Sequence, residues 1–172
     1  TSMEIMKVIQ EINKELGNYH RILNNGSLSY YKFRKAYIRS RLIHVLKNID
    51  NKEANIIDIG CGYGTNSLLL AMMGYKVIGT TLEYYYGQIN NRLIYWDKYI
   101  DTSKVEIKYE NLFSSKYVED TFDCVIVQDT LHHLEPINNA LLILNKLLKS
   151  KGKLIISEEN GKNIICNIKH FK

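Results

Sequence analysis

Nine consecutive residues constrain this chain more than any others: Ile56-Ile57-Asp58-Ile59-Gly60-Cys61-Gly62-Tyr63-Gly64. A short run of β character ends in glycines at alternate positions. A helical pattern, Ser67-Leu68-Leu69-Leu70-Ala71-Met72-Met73, follows at once. Strand, glycine turn and helix in this order is the local plan of a nucleotide site in an open parallel sheet. Glycine reaches backbone angles closed to other residues and lets a ligand touch the main chain. The following helix offers free N–H groups at its start.

The rest of the chain alternates in the same style. Apolar runs at Ile56–Ile59, Lys76–Thr80, Val105–Tyr109, Phe122–Val127 and Lys153–Ser157 read as strands. Helical segments are expected to begin near Thr65, Tyr84, Ser114 and Pro136. Tyr85, Ile89, Leu93, Trp96 and Ile100 form one stripe; Ile137, Ala140, Leu141, Leu144 and Leu147 form another. Pro136 suits a first helical turn, where its missing N–H costs nothing. Ahead of the glycine turn, Ile5, Ile9, Ile12 and Leu16 predict an amphipathic helix over 3–16. A second helix is expected from about Ser29 to Lys47, with Tyr30, Phe33, Tyr37, Leu42, Val45 and Leu46 as its apolar stripe. Lys32, Arg34, Lys35, Arg39 and Arg41 give that helix a basic flank, read as a solvated face or as a surface for an anionic substrate.

The spacing of the glycines discriminates between ligands. A dinucleotide fingerprint asks for G-x-G-x-x-G. Here the third glycine comes one residue early, and Thr65 stands where it would be needed. Asp58 also lies within the end of the strand. Asp58-Ile59-Gly60-Cys61-Gly62-Tyr63-Gly64 resembles motif I, D/E-x-G-x-G-x-G, of the class I S-adenosylmethionine-dependent methyltransferases. Phe122-Asp123-Cys124-Val125, followed by Leu131-His132-His133, resembles the small-molecule branch of that family. Leu147-Leu148-Lys149-Ser150-Lys151-Gly152-Lys153-Leu154-Ile155 is similar to its turn into strand five, with Ser150-Lys151 in place of Pro-Gly.

The resemblance implies an α/β, Rossmann-like three-layer sandwich. Its mostly parallel sheet would have about five strands in the order 3-2-1-4-5 and lack the usual strands six and seven. Residues 3–50 would form a helical lid, with Tyr30 and Tyr31 over the pocket, and 51–172 a core binding S-adenosyl-L-methionine. Gly60, Cys61, Gly62 and Gly64 would pack against the methionine part of that cofactor, with Asp58 near its amino group. An acid for the ribose is expected at Thr81; Glu83, two residues on and of longer reach, is the better acceptor, with Leu82 between them. Any of Tyr84, Tyr85 and Tyr86 could pack on the ribose or adenine. Asn111 occupies the position of an adenine-binding acid, and Leu112 follows it. Gln128 and Asp129 would lie beside the reactive methyl. His132, His133 and Asp129, in that order, are the candidate bases.

Composition bounds the alternatives. With 172 residues, 45% hydrophobic and 24% charged, the chain suits one soluble domain. No apolar run approaches the ~18 residues of a membrane span. Cys61, Cys124 and Cys166 are scattered and odd in number, which fits a reducing, cytoplasmic setting rather than a disulfide frame or zinc site. A net charge of +5 is a mild hint of an acidic partner. The nucleic-acid base methylase signature D/N-P-P-Y/F is absent from Gln128-Asp129-Thr130-Leu131, so a small-molecule acceptor is expected and nucleic acid disfavoured. A scaffold domain on the same fold and a nucleotide-dependent oxidoreductase remain as alternatives. Asn160 to Lys172 would supply one more helix, leaving strand five as an edge for a second copy or a further segment to cover.

Overall fold

Parallel strands cannot be joined by tight hairpins, so each must be followed by a crossover. The computed structural model shows this arrangement and describes residues 28–83 and 86–158. Helix α1 spans Leu28–Leu46. Strand β1 (Asn55–Ile59), helix α2 (Thr65–Met72) and strand β2 (Lys76–Thr81) follow. A 3₁₀ turn at Tyr86–Gln88 leads into α3 (Ile89–Trp96). Then come β3 (Val105–Tyr109), β4 (Phe122–Gln128), α4 (Ile137–Leu147) and β5 (Leu148–Ser157). The strand order is β3-β2-β1-β4-β5, as expected, and every neighbouring pair is parallel.

The period-2 alternation of the strands sorts the core into two faces. Ile56, Cys124 and Ile126 point to one face, where Leu68 to Ala71 of α2 and Ile89 and Trp96 of α3 pack. Ile57, Ile59, Val125 and Val127 point to the other, against Ala140, Leu144 and Leu147 of α4. Asp58 shares the parity of Ile56 and so lies on the α2 side. Helix α1 joins that face through Ile38, Leu42 and Val45, all buried. Each such side chain contributes about 1.5–3 kcal/mol on burial, enough together to seat the helix firmly.

Four expectations change. No α-helix begins near Ser114: the β3–β4 connection holds a 3₁₀ turn at Leu112–Ser114 and then irregular chain. Ser115 to Thr121 carries no apolar stripe that could seat a helix on the sheet, and Asp120 takes a left-handed φ of 56°. Helix α3 begins at Ile89 rather than near Tyr84. The buried stripe of α4 is narrower than expected, because Ile137 and Leu141 are exposed. Strand β5 starts at Leu148, five residues early, with an irregularity in which Phe122 pairs Leu148 but Cys124 pairs Lys153. The extra residues bow out of the ladder, with Lys151 at φ 68°. The expected helix over 3–16, the side chains of Tyr30 and Tyr31, Tyr84 and Tyr85, and Asn160 to Lys172 lie outside the described residues.

Candidate functional site

β1 has β2 on one side and β4 on the other, so strand order reverses there. In open α/β sheets the crevice beyond such a reversal is where ligands bind. The three glycines leave β1 at this point with left-handed φ values of 69°, 57° and 74° for Gly60, Gly62 and Gly64. Three alternate left-handed residues suit glycine and would strain other side chains. Gly64 also ends the loop as the cap of α2.

The loop borders a cavity of about 560 Å³. Gly60, Cys61 and Gly62 form one wall, with Thr65 and Asn66 from the first turn of α2. Thr81, Leu82 and Glu83 come from the end of β2, Glu110, Asn111 and Leu112 from the end of β3, and Gln128, Asp129, Thr130 and His133 from the end of β4. Tyr37, Ile38 and Arg41 of α1 close it from the other side. Of the described residues expected at the site, Asp58, Gly64, Tyr86 and His132 are not in this wall.

Asp58 is 2% exposed and accepts a hydrogen bond from Ser67 Oγ at 2.9 Å. Burial pushes its carboxyl up from 3.8 to about 7, against the smaller opposing effect of the Ser67 bond. It therefore stands behind the loop, largely neutral in mildly acidic solution. Burial likewise drives the Cys61 thiol well above its ordinary range, with the Asp58 charge adding to the effect. Cys61 is thus a packing residue of the loop rather than a nucleophile.

At the end of β2, Thr81 Oγ1 accepts the Glu83 N–H at 3.2 Å, which leaves the exposed Glu83 carboxylate at the cavity wall. At the end of β3, Asn111 Oδ1 caps the next turn by accepting the Phe113 N–H at 2.9 Å. Its neighbour Glu110 also lines the cavity, and its carboxylate faces the part-buried Tyr117 hydroxyl, which it helps to hold protonated. Gln128 is 9% exposed. Its Oε1 accepts from Asn66 Nδ2, while its Nε2 is buried without a partner among the described residues. A buried polar atom without a partner is costly, so one in a cavity wall marks a place where a ligand completes the bonding.

Asp129 sits at φ 51° directly after β4. Both of its carboxylate oxygens are engaged by α1: Tyr37 donates its hydroxyl to Oδ2, and Arg41 donates Nη2 to Oδ1. Arg41 also donates Nη1 to Ser157 O at 2.9 Å, and its guanidinium lies 4.3 Å from the Tyr37 ring centroid. The four residues clasp α1 to the ends of β4 and β5. Asp129→Asn keeps the left-handed geometry, which asparagine tolerates, but removes the charge from a pair that is part-buried. The variant is expected to lose about 1–2 kcal/mol in chemical denaturation, between the values of surface and buried ion pairs.

The turn after β4 carries both histidines, exposed and with ring centroids 3.9 Å apart. Glu158 Oε1 accepts the N–H groups of Thr130 and Leu131 at 3.0 and 2.6 Å, and its Oε2 lies 2.7 Å from His132 Nδ1. His132 is thereby tethered at the surface, 53% exposed. His133 lines the cavity. Tyr37, Arg41, Asn66 and Glu110 are members of the wall that the sequence reading did not assign to it. The i, i+4 spacing of Tyr37 and Arg41, which puts an acceptor-seeking pair on one helix face, was the available signal.

Comparison with known proteins agrees with this geometry. Residues 30–163 match a family described as "Methyltransferase domain". A relative named ubiquinone biosynthesis O-methyltransferase, from Rickettsia bellii (strain OSU 85-389), is 29% identical over 126 residues, covering 70% of this chain. The chain spans about half the length of that relative, 50%. Among solved structures, the PH0226 protein of Pyrococcus horikoshii OT3 is similar with a TM-score of 0.63 and 25% identity, over 88% of this chain and 63% of that one. Coclaurine N-methyltransferase bound to N-methylheliamine and SAH is similar with a TM-score of 0.61 and 17% identity, over 71% of this chain and 35% of that one. The match covers more than half of the residues and takes in the glycine loop, all five strand ends and the clasp, and on that ground the chain belongs to the methyltransferase-domain family.

Proposed function

We propose that the chain binds S-adenosyl-L-methionine in the cavity at the strand reversal and directs its methyl group to a small-molecule acceptor. The observation that carries this reading is the set of three alternate left-handed glycines opening into a cavity whose far walls hold Glu83 and Gln128. Main chain left bare by glycine suits close approach of the methionine part. Glu83 suits the ribose, as a carboxylate can accept from two adjacent hydroxyls. Glu110 and Asn111 both line the cavity at the end of β3 and both can accept from the adenine amino group, Glu110 beside the Tyr117 hydroxyl and Asn111 while capping the next turn. Asp58 acts on the site through the loop and Ser67.

When bound, the cofactor supplies an activated methyl on sulfur. The protein's share is to hold the acceptor's nucleophile in line with that methyl and to exclude water, and such alignment alone removes much of a barrier. Gln128 Nε2 is a donor for orienting the acceptor. His133 is the favoured base where the acceptor must lose a proton; His132 is tied to Glu158 and Asp129 to Arg41 and Tyr37. Helix α1 serves as the lid, closed by the clasp. A ubiquinone-type relative and a coclaurine-type neighbour both support a small organic acceptor.

Calorimetric titration tests the cofactor reading. S-adenosylmethionine and S-adenosylhomocysteine are expected to bind with one site per chain, and NAD to give no heat. Binding of NAD in preference to both would overturn it in favour of an oxidoreductase. Failure of all three to bind would leave a scaffold on the same fold.

A further inference from the structure

The glycine loop has a second attachment, from behind. Arg92, on α3, is 2% exposed, among the apolar side chains Ile89 and Trp96 that share its helix face in the core. Taking a guanidinium out of water is expensive unless its donors are used. Here Nη1 donates to the carbonyl oxygen of Tyr63, and Nη2 donates to Thr65 Oγ1 at 3.2 Å. Those two acceptors flank Gly64. The planar fork of arginine can serve both at once, which the single ammonium of lysine does less well. Arg92 itself is not in the cavity wall; Tyr63 and Thr65 are.

We infer that Arg92 is a positioning residue that fixes the Gly62-Tyr63-Gly64 turn, and through it the contacts of the cavity to the amino-acid part of the adenosyl ligand. The inference rests on the cofactor reading above. Backbone bonds already hold the loop at Cys61 and Gly64, with Cys61 N–H donating to Thr80 O at 2.8 Å and Gly64 N–H to Cys61 O at 2.9 Å. Arg92 adds a hold on the Tyr63 carbonyl between them, where flanking glycines leave the chain most freedom. Drawing the Tyr63 carbonyl toward α3 turns it away from the ligand. A loop held in advance spares the ligand the entropy of ordering it.

The test compares two ligands that share the adenosine part. S-adenosylhomocysteine carries the amino-acid tail; 5′-methylthioadenosine does not. In Arg92→Met, the dissociation constant of the first is expected to rise about tenfold, in line with loss of a charge-assisted hydrogen bond. That of the second should stay within about twofold, since its contacts come from the ends of β2 and β3. Arg92→Lys should fall between and carries the comparison if the methionine variant does not fold. A general structural role would weaken both ligands together, and that result, or no change in either, overturns the inference while leaving the cofactor reading intact. If the wild-type protein binds neither ligand, the cofactor reading falls. Amide hydrogen exchange then decides the remainder: faster exchange at residues 61–66 in Arg92→Met, with β2 and β3 unchanged, supports loop fixing, and unchanged exchange at 61–66 refutes it.

Discussion

Asp58→Asn is expected to stabilise the protein at pH 8 by a few kcal/mol and to do almost nothing at pH 4. The Asp58 carboxyl is buried, and in the folded protein it releases its proton at about 7 instead of 3.8. Below pH 3.8 the folded and unfolded chains both hold the proton, so folding gains or loses nothing from it. Between pH 3.8 and about 7 the unfolded chain has released the proton and the folded chain has not. Stability from this group therefore falls as pH rises, and the loss is complete above about 7. At ~1.4 kcal/mol per pKa unit, the full loss is on the order of 4 kcal/mol. Asparagine cannot ionise and keeps an amide oxygen for Ser67, so it escapes the loss. Urea midpoints for both proteins from pH 4 to pH 8 measure the difference, which should widen across this range. Parallel curves would show that Asp58 ionises freely in the fold. Asp101 and Asp123 shift the opposite way, but they are common to both proteins and cancel in the comparison.

Gly60→Ala should cost about 3 kcal/mol and damage the cavity at the same time. Two effects add. The residue sits at φ 69°, where an L side chain costs about 1–2 kcal/mol. A Cβ there would also come 2.1 Å from Thr130 Cγ2, 2.4 Å from its Oγ1 and 2.8 Å from its Cβ. Thr130 is poorly able to retreat. Its hydroxyl lies 3.1 Å from Gly60 O and 3.0 Å from Gln128 O, and its N–H donates to Glu158. Overpacking of this sort costs about 1–3 kcal/mol. For a domain of this size the sum lowers the melting temperature by roughly 6–12 °C. Gly74→Ala is the control: φ is 96° but nothing lies within 4 Å, so it should show the backbone cost alone. Equal losses in the two variants would mean that Thr130 moves aside freely.

Much of this architecture is legible in the sequence, and the reasons differ by element. The central strands β1 and β4 were legible because each is a short apolar run buried on both faces, and the glycine loop because a strand, an acid and a helical stripe surround it. Helix α1 was legible as a helix through its stripe, but its part in the cavity was not. Arg41 and Asp129 are 88 residues apart, and only the folded sheet brings them together. Asp129 therefore read as a candidate base, although its oxygens are taken by α1. Asn111 reads as the adenine contact from its place after β3, and nothing in the local sequence shows that its amide oxygen caps the next turn. The two histidines are neighbours in sequence and in space, and what distinguishes them is Glu158, 26 residues on, which engages His132. The missing helix near Ser114 reflects the absence of any apolar stripe, which the expectation of strict strand–helix alternation overrode.

The clasp has a bearing on biosynthesis. Arg41 is made early, yet it bonds the main chain at Ser157, the last residue of β5. During synthesis α1 emerges before the strand ends it grips, so its guanidinium keeps water as its partner until the chain up to Ser157 has emerged. The cavity wall that α1 supplies through Tyr37, Ile38 and Arg41 therefore forms after the strand ends opposite it, and the chamber is a product of assembly rather than of any one segment.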